Sequence, residues 1–167
     1  SEMCIRDRAA CHEYYHCCIA KDKKTTGLMV AVDATCSGLQ ILAGLARDKS
    51  TAELVNVVPS SKPSDAYKAV AEKAKEFLPT YMHRWMNRSV CKRTVMTIPY
   101  NATKDSSRKY IREALLEEGI DPTKDELTQV VNAVYNSMDA IVPGPMQVMR
   151  WIKKHLSLIH ISEPTRR

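Results

Sequence analysis

The sequence predicts a mainly helical α+β chain, and three observations predict it. Apolar residues recur at three- and four-residue intervals through most of the 167 positions, the period of amphipathic helices. Helix punctuation falls between those runs: Pro63-Ser64 before one, Thr123-Lys124-Asp125-Glu126 in capping-box order before another, Pro79 and Gly119 at ends. A short apolar run, Gly27-Leu28-Met29-Val30-Ala31-Val32-Asp33, reads instead as a strand with a carboxylate at its end.

Taken in order, Ala9 to Ala20 reads as a partly buried helix, and Lys21 to Thr26 as a polar loop before the strand. Ser37 is a predicted N-cap, opening a helix with Leu39, Leu42 and Leu45 on one side that ends near Arg47-Asp48. Leu54 to Val58, closed by Pro59, reads as extended. The run from Pro63-Ser64 carries Tyr67, Val70, Ala71, Ala74, Phe77 and Leu78 at helical spacing, and its charged face is solvated surface. A helix is predicted over 88–98, with Pro99 kinking its last turn. Further helices are predicted from Lys104 to Glu118, from the capping box through Leu127, Val130, Val131, Val134, Met138 and Ile141, and around Met149 and Ile152 after Pro143-Gly144-Pro145.

Composition bounds function loosely. A net charge of +6 and a pI near 9.0 permit nucleic-acid binding without demanding it. No apolar run has the length of a membrane span. Six cysteines without regular pairing read as the reduced thiols of an intracellular protein.

Two stretches carry chemistry. On the helix over 88–98 and its continuation, Arg88, Lys92, Met96 and Tyr100 follow one another at i, i+4 and drift slowly around one face. Arg88 and Tyr100 then lie about 18 Å apart along the axis. Two cations sit toward the N-terminal end, where the helix dipole also favours anions. Such a face holds a nucleoside triphosphate lengthwise, with phosphates on Arg88 and Lys92 and the nucleoside near Tyr100. The competing reading is an amphipathic helix with a solvated basic edge. Upstream, Asp33 at the end of its strand suits a magnesium ion, which is bound by one or two carboxylates plus substrate phosphates.

These stretches resemble the phage-type single-subunit DNA-directed RNA polymerases, a family that includes the mitochondrial enzyme. Asp33-Ala34-Thr35-Cys36-Ser37-Gly38-Leu39-Gln40 resembles its motif A, and Arg88 to Tyr100 resembles its motif B, R-x-x-x-K-R-x-V-M-T-x-x-Y. Val55-Asn56-Val57-Val58-Pro59-Ser60 and Asp65-Ala66-Tyr67 resemble the segment between them, and Cys11, Glu13 and Tyr14 the lead-in. Asn101 stands where the family usually has Gly, and Asn is the next best residue for a left-handed turn.

The resemblance implies a fragment of the right-hand polymerase fold, with a palm part at 9–60 and a fingers part at 61–155. It implies transfer of nucleotidyl groups from ribonucleoside triphosphates to a growing RNA on a DNA template, in a monomeric parent enzyme without membrane association. Asp33 is then a catalytic magnesium ligand, with the Ala34 carbonyl a minor one. Arg88 and Lys92 hold the triphosphate, Lys92 also donating a proton to pyrophosphate, with Arg93 alongside. Tyr100 sits by the sugar and template base. The related A-family DNA polymerases usually place a Glu five residues after the first Asp, where it blocks a ribose hydroxyl. Here that position is Gly38, which favours RNA synthesis. The implied setting is the cytoplasm of a virus-infected cell, ahead of a mitochondrion. The family's second metal-binding aspartate has no counterpart after Tyr100, so the expectation is an inactive fragment of an active parent.

Residues 1–8 and 156–167 are compatible with one DNA sequence read in opposite orientations, and that DNA resembles a transposase-type sequencing adapter. They are expected to be adapter read-through flanking a gene fragment cut at both ends.

Two alternatives compete. His12-Glu13-Tyr14-Tyr15-His16 matches H-E-x-x-H, in which two histidines one turn apart hold zinc and the glutamate acts as base of a metalloprotease. No further ligand follows in a recognisable motif, so a helix leading to motif A is preferred. A non-catalytic nucleic-acid-binding helical module is the third reading, and it predicts salt-sensitive binding without nucleotide selectivity.

Overall fold

A computed structural model describes residues 2–29 and 34–162. The chain divides after Ala34 into two units. In the first, helix α1 (Glu2–Tyr14) winds into a π turn, Tyr15–Ile19, of which no residue is buried. Tyr14, Tyr15 and Ile19 are exposed, while Ala9, Glu13, His16 and Cys17 are half-buried, in keeping with the expected partly buried helix. It ends in a loop where Lys21 takes a left-handed φ of 55°. Side-chain bonds from His16 to Asp22 and from Lys23 to Glu13 fold that loop back on the helix.

Every regular element among the described residues of the second unit is a helix. Helix α2 (Ser37–Ala46) packs on α8 (Pro143–Ser162), α4 (Ala66–Lys75) packs on α7 (Lys124–Ile141), and α5 (Arg88–Thr97) lies against α4 and α6 (Lys104–Glu117). Among the described residues there is no strand. The expected strand reaches Asp33 through 30–33, which lie outside the described residues.

Local chemistry explains most boundaries. Asp65, Asn87, Thr103 and Thr123 each cap a helix by accepting the backbone N–H three residues on. At α7 the expected capping box is complete, since the Glu126 carboxylate also takes the Thr123 N–H at 2.9 Å. Helix α6 ends with Gly119 at a φ of +77°. The core joins Leu39 and Leu42 of α2, Val70 and Ala74 of α4, Val90 and Val95 of α5, Ile111 of α6 and Val130, Val134 and Met138 of α7. Each fully buried aliphatic side chain of this kind contributes roughly 1.5–3 kcal/mol.

Five expectations are corrected. Leu54–Val58 is not extended: Asp48 caps a short helix, α3 (Lys49–Leu54), and Val55 to Val58 turn away from its end with Asn56 left-handed. The helix expected from Pro63-Ser64 begins at Ala66, because Asn56 binds the Ser64 N–H and carbonyl and Asp65 takes the cap. It ends at Lys75, which leaves Phe77 exposed outside it. Ser37 is not the N-cap of α2 but its first residue, following Cys36, and Leu45 points outward while Ala43 takes its place in the core.

Candidate functional site

Helix α5 carries the candidate site because its sequence has two unlike faces. Val90, Cys91, Thr94 and Val95 are buried, as is Ile98 beyond them. Arg88, Lys92, Met96 and Tyr100 form the exposed stripe that the spacing predicts. Burial raises the Cys91 thiol to about 12, so that side chain is a structural apolar group. The predicted kink at Pro99 takes the form of a tightened 3-10 turn, Ile98–Tyr100, and Asn101 closes it in the left-handed conformation at φ 67°.

Each cation on α5 is held differently. Arg88 Nε donates to Asp65 Oδ2 at 2.7 Å, and its guanidinium lies 5.4 Å over the Tyr67 ring. That pair uses only Nε, and the Nη fork has no hydrogen-bond partner among the described residues. Burial alone would raise the Asp65 carboxyl, but the Lys68 N–H and the Arg88 guanidinium outweigh it and hold it low. Arg93 turns to α6: its Nη1 donates to Glu113 at 2.8 Å, and its guanidinium lies 4.1 Å from the Tyr110 ring. Lys92 is exposed and has no hydrogen-bond or ion-pair partner among the described residues.

The start of α2 comes to the other end of the stripe. Gly38 is buried against the 3-10 turn, where an added Cβ would lie 2.7 Å from Pro99 Cβ and 3.2 Å from Tyr100 Cζ. The Tyr100 and Ser37 hydroxyls meet at 2.8 Å. Gly38 and Tyr100, named from sequence for separate reasons, are thus direct neighbours.

Sequence reasoning missed the residues that join the two motifs. The Tyr67 hydroxyl donates to the Thr35 carbonyl at 2.7 Å while its ring supports Arg88. Burial, with Cys36 second, pushes its phenol well above the ordinary tyrosine range. Gln40 Nε2 donates to Thr35 Oγ1 at 3.3 Å and to the Val55 carbonyl at 2.8 Å. Helical spacing marked Tyr67 as core, which it also is at 4% exposure. Its position two after a capping Asp, in a segment flagged as family-like, was the available signal.

Asp33 lies outside the described residues, and Ala34 at their edge is exposed. Among the described residues no three His, Cys, Asp or Glu side chains converge as a metal site requires. The His12 and His16 rings lie 4.5 Å apart, with His16 Nδ1 on Asp22 and Glu13 bound to Lys23. The glutamate that the zinc reading needs as a base is therefore committed to a cation. No helix among the described residues is long and apolar enough to cross a membrane.

Comparison with known proteins bears on this arrangement. The sequence model of a family described as DNA-dependent RNA polymerase matches residues 3–166. The mitochondrial DNA-directed RNA polymerase of Mus musculus is 29% identical over 166 residues, covering 90% of this chain and 14% of that protein. That of Schizosaccharomyces pombe is 31% identical over 171 residues, covering 93% of this chain and 15% of that protein. The DNA-directed RNA polymerase of Enterobacteria phage T3 is 24% identical over 175 residues, covering 79% of this chain and 20% of that protein. The chain thus spans well under a quarter of the length of each of these relatives.

Proposed function

Since the chain belongs to the DNA-dependent RNA polymerase family, we propose that it is the nucleotide-gripping part of an enzyme that builds RNA on a DNA template. The observation that carries this reading is the state of Lys92. Of the three cations on α5, two are tied to carboxylates and Lys92 alone among them has no partner within the described residues. It sits one turn from Arg88 on the exposed stripe. An unpaired ammonium beside a half-used guanidinium suits the triphosphate of a ribonucleoside triphosphate.

In this reading the Arg88 Nη fork holds the phosphates, and Asp65 keeps the guanidinium in place. Lys92 neutralises charge growing on the pyrophosphate and gives it a proton as it leaves. Arg93 acts indirectly, fixing α5 to α6. Tyr100 stands by the sugar and template base, over Gly38. The Asp33 carboxylate and the Ala34 carbonyl would hold magnesium, which would supply activation of the attacking hydroxyl and charge stabilisation of the leaving group. The described residues hold no metal cluster of their own.

The parts at 9–60 and 61–155 act as palm and fingers, and a DNA template, a nascent RNA and ribonucleoside triphosphates are the partners of a monomeric parent. The parent's setting is the cytoplasm of a virus-infected cell. A mitochondrial setting is the second reading, favoured by the similarity to the mouse and fission-yeast enzymes.

The test is Lys92→Ala in the full-length polymerase carrying this segment. Removing a donor aimed at developing charge costs roughly 2.7–4 kcal/mol, or two to three decades in kcat. Single-turnover RNA extension at the parental rate would leave Lys92 as ordinary charged surface and sink the proposal.

A further inference from the structure

The hydroxyls of Ser37 and Tyr100, 63 positions apart, meet at 2.8 Å. Tyr100 is 65% exposed, with the base of its phenol hydroxyl beside Gly38. Gly38 makes the approach feasible, because a Cβ there would strike Pro99 and Tyr100. With Gly38 in place, the Ser37 hydroxyl alone among the described residues engages the tip of the phenol.

We infer that Ser37 is a positioning residue for sugar selection, holding the Tyr100 hydroxyl where it meets the ribose of the incoming ribonucleoside triphosphate. The inference rests on the polymerase reading above. Its chemistry follows from counting donors and acceptors. If Ser37 donates, Tyr100 keeps its own O–H for a sugar oxygen. If Tyr100 donates, its free lone pairs accept a sugar O–H. Either way the phenol keeps a donor or an acceptor for the sugar hydroxyl, and a deoxyribose without that hydroxyl leaves it unmet. Without Ser37 the phenol loses its fixed direction, and selectivity falls while the ring stays.

The experiment measures the ratio of kcat/KM for a ribonucleotide over its matching deoxyribonucleotide in the full-length polymerase. The variants are Ser37→Ala, Ser37→Thr, Tyr100→Phe and the double variant Ser37→Ala/Tyr100→Phe. Ser37→Ala should lower the ratio roughly three- to tenfold, the range for one neutral hydrogen bond. Ser37→Thr, which keeps the hydroxyl, should restore it, and Ser37→Ala should add nothing in the Tyr100→Phe background. An unchanged ratio in Ser37→Ala, or a loss of equal size with and without the Tyr100 hydroxyl, would overturn the inference and leave the polymerase reading standing. A parent that extends RNA with neither nucleotide would overturn both.

Discussion

The Asp48 carboxylate accepts the Gly144 N–H at 3.1 Å, tying the start of α3 to the start of α8 across 96 residues of chain. The same carboxylate takes the Thr51 hydroxyl at 2.6 Å, the Thr51 N–H at 3.2 Å and the Ser50 hydroxyl at 2.8 Å. These bonds, with Thr51 first, outweigh burial and lower its pKa from 3.8 to about 2. The folded value lies below the unfolded one, so the charge stabilises the fold above about pH 5, and that contribution is lost as the pH falls through 3.8 toward 2.

Discounted for solvent screening, the contribution is about 1 kcal/mol. Asp48→Asn keeps a good cap but loses the charge. Urea unfolding of the chain and this variant should show a stability gap at pH 6 that closes by pH 2. A gap independent of pH would mean that the carboxylate acts only by its shape.

Gly144 is confined by the same contact. A Cβ there would lie 2.6 Å from Asp48 Cβ and 3.0 Å from Ala46 Cβ. Gly144→Ala should therefore destabilise the chain by roughly 1–3 kcal/mol through overpacking, despite alanine's better helix propensity. Thermal unfolding checks this, and a Tm at or above the parent's would show that α8 shifts freely.

Thr94 is fully buried on α5, and its hydroxyl has no hydrogen-bond partner among the described residues. Replacing it with the nearly isosteric Val removes an unsatisfied group from the core. Thr94→Val should be neutral or stabilising by up to about 1 kcal/mol, against the usual direction for a core substitution. Chemical denaturation provides the number, and a loss above that size would reveal a partner for the hydroxyl in solution.

Gly38→Glu tests sugar choice only beside a control. Any side chain at Gly38 meets Pro99 and Tyr100 before it reaches a ligand. Gly38→Ala should thus slow ribonucleotide and deoxyribonucleotide incorporation together by displacing the turn. Gly38→Glu should depress ribonucleotide use beyond the alanine level. Equal ratios in the two variants, measured by competitive primer extension, would remove the steric argument for ribose selection.

The sequence disclosed what depends on short-range rules. The capping box at Thr123 and Glu126, the exposed stripe of α5 and the left-handed Asn101 each follow from residues a few positions apart. It did not disclose the partners of those residues across the fold. Arg93 reads as a nucleotide ligand beside Arg88 and Lys92, and nothing in the sequence announces its bond to Glu113 or its place over the Tyr110 ring. Gly38 reads as an open pocket wall, yet it is filled by Pro99 and Tyr100. Leu45 fits a helical stripe as well as Ala43 does, and only the placement of α8 decides between them. Asp48 reads as the end of one helix, whereas its side chain begins the next. Periodicity assigns a face to the interior, but which neighbour meets it is a property of the whole chain.

Tyr67 gives α5 a mechanical asymmetry. Its ring bears on Arg88 and its hydroxyl holds the Thr35 carbonyl, so tilting the Arg88 end strains a buried strut and a salt bridge together. The Tyr100 hydroxyl has one exposed contact, on a turn that Ile98 anchors in the core and Pro99 packs beside Gly38. The two ends of the exposed stripe are therefore held by different means: a cation between a ring and a carboxylate at Arg88, and a hydroxyl pair beside a glycine at Tyr100.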